Sequence, residues 1–557
     1  MRCFLFLLAG ALCAQEPYDL ILTGGRIVDG TGSAWFHGDL AIRGDRIARI
    51  APPGVLAAAP ARERLDVRGL VVAPGFVDIQ SHSRDSFLTG DGRVLSKVTQ
   101  GITTEILGEG ATNAPANEKT LAWERSGAPR PREAHDFSGP HGFDRWLRAM
   151  ERHGNSANFG SFLGATTVRM YVKGMEQGAP SEAEVETMRA LVREAMEDGA
   201  FGIASALIYP PGEYATTREL AEMARSMAPF GGVYITHMRS EADRLLEAID
   251  EALEIGRLGG VPVEIYHLKA GGRRNWPKMA QAIARIERAR LAGQDVSANM
   301  YSYVAGGTGL SACMPPWAAA GGKLSENLAS PEARARMRAE MSGDQTAWEN
   351  LCGLATPEGV LIVGLRSEEN KRWVGKRLSE IAAAMGKDWI EAAMDLVLSD
   401  RSRVGTVFFM MSEDNVRLQL RQPWIKFGTD AGGLDPETAR DLAHPRAYGN
   451  FPRILGKYVR EEKVMPLEEA VRKMSSAVTR RLSIADRGLL QEGLYADVVV
   501  FDPETIADRA TFEQPHQLSV GMKHVFVNGA AVVRDGRHTG ATPGRIVRGP
   551  GYTGRSM

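Results

Sequence analysis

The chain has 557 residues, with 67 Lys and Arg against 68 Asp and Glu and a formal charge of −1. That balance excludes a nucleic-acid footprint, which needs a clustered excess of cations. An apolar share of 44% with 24% charged residues excludes a disordered or fibrous chain and permits a large buried core.

Met1-Arg2, the apolar run 4–12 and the small residues around Cys13-Ala14 form the three parts of an export signal. The run is shorter than the ~20 apolar residues that span a bilayer, and no later stretch qualifies. Residues 1–14 therefore read as a signal peptide of a secreted or periplasmic protein, cut around Cys13 or Ala14. A lipoprotein anchored through Cys13 is the alternative. Cys313 and Cys352 stay in the mature chain. An oxidising compartment would permit them to bridge, but spacing does not decide between a bridge and two buried thiols.

From 20 to 72, short runs of Val, Ile and Leu alternate with Gly and Asp, which predicts several short antiparallel strands. The same texture returns at 496–502 and 525–529, so residues 16–73 and 485–545 are expected to build one small β-sandwich domain. Between them, over 74–484, helical stretches alternate with short apolar strands, the pattern of βα units. In the clearest unit Ser181 and Glu184 form a capping box, and Val185, Met188, Leu191, Val192, Ala195 and Met196 make one apolar stripe. Gly199 stops that helix, and the strand 201–205 follows. Further strands are predicted at 233–236, 261–265, 296–300, 407–410 and 425–428. So long a series favours an α/β fold with a closed (β/α)8 barrel of the TIM type, with an open doubly wound sheet as the alternative. Residues 313–401 exceed what one βα unit needs and are rich in Ala, Glu and Arg, which predicts an inserted helical subdomain.

Position separates the 11 histidines. His82, His237 and His267 each follow an apolar strand-like run, and in a parallel barrel the C-terminal strand ends open onto one face. Asp430 ends the run 425–429 in the same way, and Glu109 ends 106–108. One histidine at a strand end is usually an ordinary hydrogen-bonded residue. Three with two acids, at five strand ends, suit Zn²⁺ or a similar divalent ion with a position open for water. His135, His141, His153, His516 and His538 stand in polar or Pro/Gly-rich surroundings and read as surface residues. His444, beside Pro445, reads as a donor or a loop residue and stays outside the catalytic set.

Ala73-Pro74-Gly75-Phe76-Val77-Asp78, the split β-domain and the closing run 493–500 resemble the amidohydrolase superfamily. Within it, Tyr209-Pro210-Pro211, Thr236-His237-Met238-Arg239, Tyr266-His267-Leu268-Lys269 and His444-Pro445-Arg446 are similar to the D-aminoacylases, or N-acyl-D-amino-acid deacylases. The resemblance covers nearly the whole mature chain and is weakest over 313–401. It implies that His237 and His267 hold the tightly bound zinc and that Asp430 is the catalytic aspartate. It further implies that Lys269 and Arg446 grip the substrate carboxylate and that Tyr301 touches the substrate.

Two positions depart from the family pattern. Its His-x-His pair reads Gln80-Ser81-His82 here, so an amide, a poor zinc ligand, replaces one imidazole. Its bridging cysteine is missing from Leu107-Gly108-Glu109-Gly110-Ala111, and Glu109 is expected to supply a carboxylate oxygen instead, with Glu105 in reserve. The family pattern thus implies one tightly bound Zn²⁺, with a second site weak or absent.

The implied activity is hydrolysis of the amide of an N-acyl-D-amino acid, or of a related D-residue-containing dipeptide. Asp430 would accept a proton from the attacking water and pass it to the departing nitrogen. Two other readings compete. A cyclic-amide hydrolase of the hydantoinase or dihydroorotase kind often carries a carboxylated lysine where Glu109 stands. A non-catalytic exported binding protein is suggested by Gln80 and opposed by Asp430. The expected partner is a small-molecule substrate.

Overall fold

The computed structural model describes residues 16–126, 135–343, 348–401 and 403–554. The export signal read at 1–14 lies outside them. Eight parallel strands form a ring: β1 (Phe76–Asp78), β2 (Ile102–Leu107), β3 (Asn158–Ser161, continued by Leu163–Gly164), β4 (Gly202–Ala206), β5 (Val233–His237), β6 (Val263–Ile265), β7 (Val296–Met300) and β8 (Ile425–Phe427). Each pairs with the next from β1 to β8. The ring closes just beyond β8 and β1, where Ser81 bridges Ala431 in parallel. There the Asp430 amide donates to the Gln80 carbonyl at 2.8 Å and the His82 amide to the Ala431 carbonyl at 3.1 Å. The backbone bonds that shut the barrel thus set Gln80, His82 and Asp430 side by side.

These strands are buried on both faces, as a helix-covered parallel sheet requires. Ile203, Val263, Ile265 and Phe427 belong to the large core shared with helix residues such as Leu220, Ile249 and Ile283. A separate cluster of Val77, Ile106, Phe162, Ile235, Val478 and Val547 packs within the ring. The helix Glu182–Glu197 shows how local sequence builds this wall. The Ser181 side chain accepts the Glu184 amide while the Glu184 carboxylate accepts the Ser181 amide, and Val185, Met188, Val192 and Met196 are buried. Such a cap stabilises a helix by ~1 kcal/mol.

At the N-terminal end of the barrel Glu264 Oε2 meets Lys426 Nζ at 2.9 Å, Arg481 Nε at 3.1 Å and the Ser297 hydroxyl at 2.6 Å. Strands from both chain ends join one nine-stranded sheet, in which Val71–Pro74 runs antiparallel to Val498–Phe501. Leu22, Ile27, Leu40, Ile42, Val498 and Val500 belong to its own core. Beyond this sheet the chain returns to the barrel, where the Val547 amide donates to the Phe159 carbonyl at 2.7 Å.

Between β7 and β8 lies an insertion with its own core, including Leu310, Leu328, Met337, Ile362 and Leu396. Cys313 and Cys352 form a disulfide inside it, with Cα atoms 5.3 Å apart. The insertion is not purely helical. Gly306–Gly309, Gly405–Phe408 and Val360–Gly364 form an antiparallel sheet with Gly405–Phe408 in the middle. The apolar run 407–410, expected as a barrel strand, therefore belongs to the insertion. A central strand reads as a continuous apolar run in either kind of sheet, so periodicity does not separate the two. Among the described residues no helix is long and apolar enough to cross a membrane.

Candidate metal centre

Glu109, His237, His267 and Asp430 meet at the C-terminal mouth of the barrel, on the wall of a cavity of about 580 Å³. Glu109 leaves β2 between two glycines, and both are required. Gly108 has φ +110°, and a Cβ there would lie 2.3 Å from the Phe162 carbonyl; Gly110 has φ +67°. The bend aims the Glu109 carboxylate into the cavity. Its Oε1 stands 3.3 Å from His237 Nδ1 and 3.4 Å from His267 Nε2. Its Oε2 accepts from Gln80 Nε2 at 2.5 Å and lies 3.4 Å from His82 Nε2. His82 Nε2 also lies 3.0 Å from Asp430 Oδ1.

Two groups of three ligand atoms therefore share Glu109: Glu109 with His237 and His267, and Glu109 with His82 and Asp430. The first is two imidazoles and a carboxylate, all buried or nearly so, a donor set that fits zinc. The second is more open to solvent, because the His82 side chain is 44% exposed. Glu105 takes no part. Its carboxylate turns into a buried network, accepting from the hydroxyls of Ser81 and Ser83 and standing 3.3 Å from Lys97 Nζ.

Electrostatics follow from this crowding. Burial pushes the Glu109 carboxyl up, but hydrogen bonds from His237, His267 and His82 prevail and hold it well below the usual range. Burial and Lys269 oppose protonation of His267, yet Glu241, Asp430 and Glu109 hold its imidazole up to about 9. Asp430 resists the upward push of burial because Arg446, His267 and His82 bring it down to about 2, so it is ionised and able to accept a proton at neutral pH.

Arg446 and Lys269 both line the cavity, and each has an acidic neighbour. Arg446 Nη1 lies 2.7 Å from Asp430 Oδ2, and the guanidinium sits 4.5 Å from the centroid of the Tyr301 ring. Its Nε is buried without a hydrogen bond, a donor left for a ligand. Lys269 Nζ is held by Glu241 Oε2 at 2.6 Å and approaches His267 Nδ1 at 2.7 Å. His444 spends both ring nitrogens on structure. Its Nδ1 accepts from the Arg446 amide at 3.0 Å, which leaves Nε2–H to donate to the Ala305 carbonyl at 2.8 Å. Burial lowers its pKa well below the usual value.

Sequence reasoning missed Glu241 and Asn299. Asn299 Oδ1 accepts the His267 amide at 2.9 Å, which holds that residue at φ +31°. Glu241 follows His237 by four residues on a loop, where no periodicity marks it. The usable signal was chemical, since metal-ligating histidines commonly pair their second nitrogen with a carboxylate.

The profile of the Amidohydrolase family matches residues 375–533. D-aminoacylase of Alcaligenes xylosoxydans xylosoxydans is 36% identical over 96% of this chain and 98% of its own length. A solved D-aminoacylase, described in terms of a binuclear metal centre with one-metal activation and second-metal attenuation, superposes with TM-score 0.77 at 34% identity, covering 96% of this chain and all of that one. The N-acyl-D-glutamate deacylase of Bordetella bronchiseptica, solved with zinc and a phosphonate mimic of the tetrahedral intermediate, superposes equally well, at TM-score 0.77, 34% identity and the same coverage.

Proposed function

The chain belongs to the amidohydrolase family, among the D-aminoacylases and N-acyl-D-amino-acid deacylases, and from that premise we propose that it hydrolyses the amide of N-acyl-D-amino acids. One observation carries this reading: two imidazoles converge on Glu109 Oε1 within 3.4 Å, beside an ionised Asp430 and the unspent Nε of Arg446. A zinc ion held by Glu109, His237 and His267 would supply Lewis acidity, polarising the acyl carbonyl and acidifying water.

The remaining work falls to side chains. Asp430 accepts the proton of the attacking water and returns it to the departing amine. Arg446 offers Nε to the substrate carboxylate while Nη1 stays paired with Asp430. Tyr301 backs that guanidinium with its ring face. Lys269, 3% exposed, adds positive charge from behind, although its ammonium is already engaged by Glu241.

The second ion position, at His82, Glu109 and Asp430, is weaker. Gln80 caps Glu109 Oε2, and Asp430 Oδ2 is paired with Arg446. About one zinc per chain is expected by metal analysis after dialysis, with a second only at excess metal. We also infer export through residues 1–14, a reading supported by the disulfide in the mature chain. An intact mass beginning after Cys13 or Ala14 tests it, and a lipid-modified Cys13 would show anchoring instead.

The decisive experiment is a panel of N-acetyl-D- and N-acetyl-L-amino acids with L,D-dipeptides, assayed with and without Zn²⁺. Zinc-dependent cleavage confined to D-residues is expected. Cleavage of L-substrates alone would overturn the substrate assignment, and turnover of hydantoins alone would favour the cyclic-amide reading.

A further inference from the structure

We propose that Glu241 is a positioning residue of the metal centre: its Oε1 receives the Nδ1 proton of His267 and so turns the lone pair of Nε2 toward the ion. The inference rests on the reading of His267 as a zinc ligand. An imidazole that binds metal through Nε2 is neutral and carries its proton on Nδ1. Two groups stand within reach of that nitrogen, Lys269 Nζ at 2.7 Å and Glu241 Oε1 at 2.9 Å. An ammonium has three N–H bonds and no lone pair, so Lys269 can meet Nδ1 only while that nitrogen is bare; with the proton on Nδ1 that contact opens and the carboxylate is the acceptor left. Glu241 Oε1 is buried and makes no hydrogen bond, while Oε2 is occupied by Lys269 at 2.6 Å. One carboxylate thus divides two tasks between its oxygens. Oε2 retains the ammonium, and Oε1 waits beside the imidazole.

The position of Glu241 is itself fixed from outside the barrel mouth. Its amide donates to Glu349 Oε2 at 2.7 Å, and its carbonyl accepts the Gly271 amide at 2.7 Å. Glu349 comes from the insertion, three residues before the disulfide-bonded Cys352. His237 receives no such service, because its Nε2 stands 3.5 Å from Glu241 Oε2 and makes no hydrogen bond.

Zinc dissociation constants of the full chain, measured by chelator competition without substrate, test the proposal. Glu241→Ala is expected to weaken zinc binding by ~10–100-fold. Glu241→Gln, whose amide oxygen still accepts from Nδ1–H, should lose less than about tenfold. With chelator present, Glu241→Ala should melt below the parent because Lys269 loses its buried counter-charge, and in both variants the rise produced by zinc should shrink. In ¹⁵N-histidine spectra of the zinc-loaded parent, His267 should carry its proton on Nδ1. A folded Glu241→Ala that binds zinc within twofold of the parent overturns the proposal. Should that variant not fold, Glu241→Asp, one methylene shorter, decides on the same scale. A parent chain that binds no zinc would sink the reading of His267 as a ligand instead.

Discussion

The two ends of the barrel hold buried charge on opposite terms. At the N-terminal end Glu264 is matched by Lys426 and Arg481, and one side-chain atom, Glu264 Oε1, is left without a hydrogen bond. At the C-terminal mouth Gln80 Oε1, His237 Nε2, Glu241 Oε1 and Arg446 Nε are all buried without a hydrogen bond. Residue types alone do not distinguish the clusters, since both mix carboxylates with cations. Incomplete pairing does: more buried polar atoms are left without a hydrogen bond around the mouth, where a ligand can reach them, than around Glu264.

The sharpest way to break the contrast is Asp430→Asn. It should reduce kcat by ~10³-fold while bound zinc and melting temperature stay near the parent values; retained turnover would remove Asp430 from the chemistry. The mirror experiment is Glu264→Ala, which leaves Lys426 buried without a counter-charge and Arg481 with Asp295 alone, and should cost ~3–5 kcal/mol in urea unfolding. Turnover per folded molecule should be unchanged, and a selective loss of kcat would erase the division between the two ends.

Arg446→Met should raise KM by about tenfold or more, as a charged contact to carboxylate is lost. It also removes the cation that most lowers the Asp430 pKa, so the acid limb of the pH–rate profile should move upward from about 2. A pH-dependent effect is expected at Glu349, whose carboxyl is pushed up to about 8 by burial and by the charge of Glu241. From the unfolded carboxyl value, near 4.5, up to about 8 the folded chain keeps this proton and the unfolded chain does not. Stability therefore falls as pH rises through that window, by at most ~1.4 kcal/mol per pH unit from one group. Glu349→Gln should flatten that slope in denaturant titrations at pH 5, 6.5 and 8, and an unaltered slope would show that Glu349 titrates normally.

Most of the barrel was legible because its strands are short apolar runs, and His82, His237, His267, Glu109 and Asp430 were found because each follows one of five such runs; Asn158–Ser161, a polar and glycine-containing stretch, gave no such signal. The insertion was not legible. Gly306-Gly307-Thr308-Gly309 offers no side-chain alternation to announce a strand, and 407–410 looks like any buried strand. Neither was the engagement of Lys269 by Glu241, since the loop after His237 carries Arg239, Glu241, Asp243 and Arg244. Charge there reads as solvated surface, although Glu241 is 2% exposed. Periodicity reports which face is buried; it says nothing about which loop carboxylate folds back beneath a histidine.

The seam at Gln80–His82 and Asp430–Ala431 joins stretches of chain whose contacting residues lie 348 positions apart. Until that staple forms, no pairing of His82 with Asp430 exists. Catalytic competence should then require closure of the ring, so recovered activity during refolding should track that closure rather than the gain of helix.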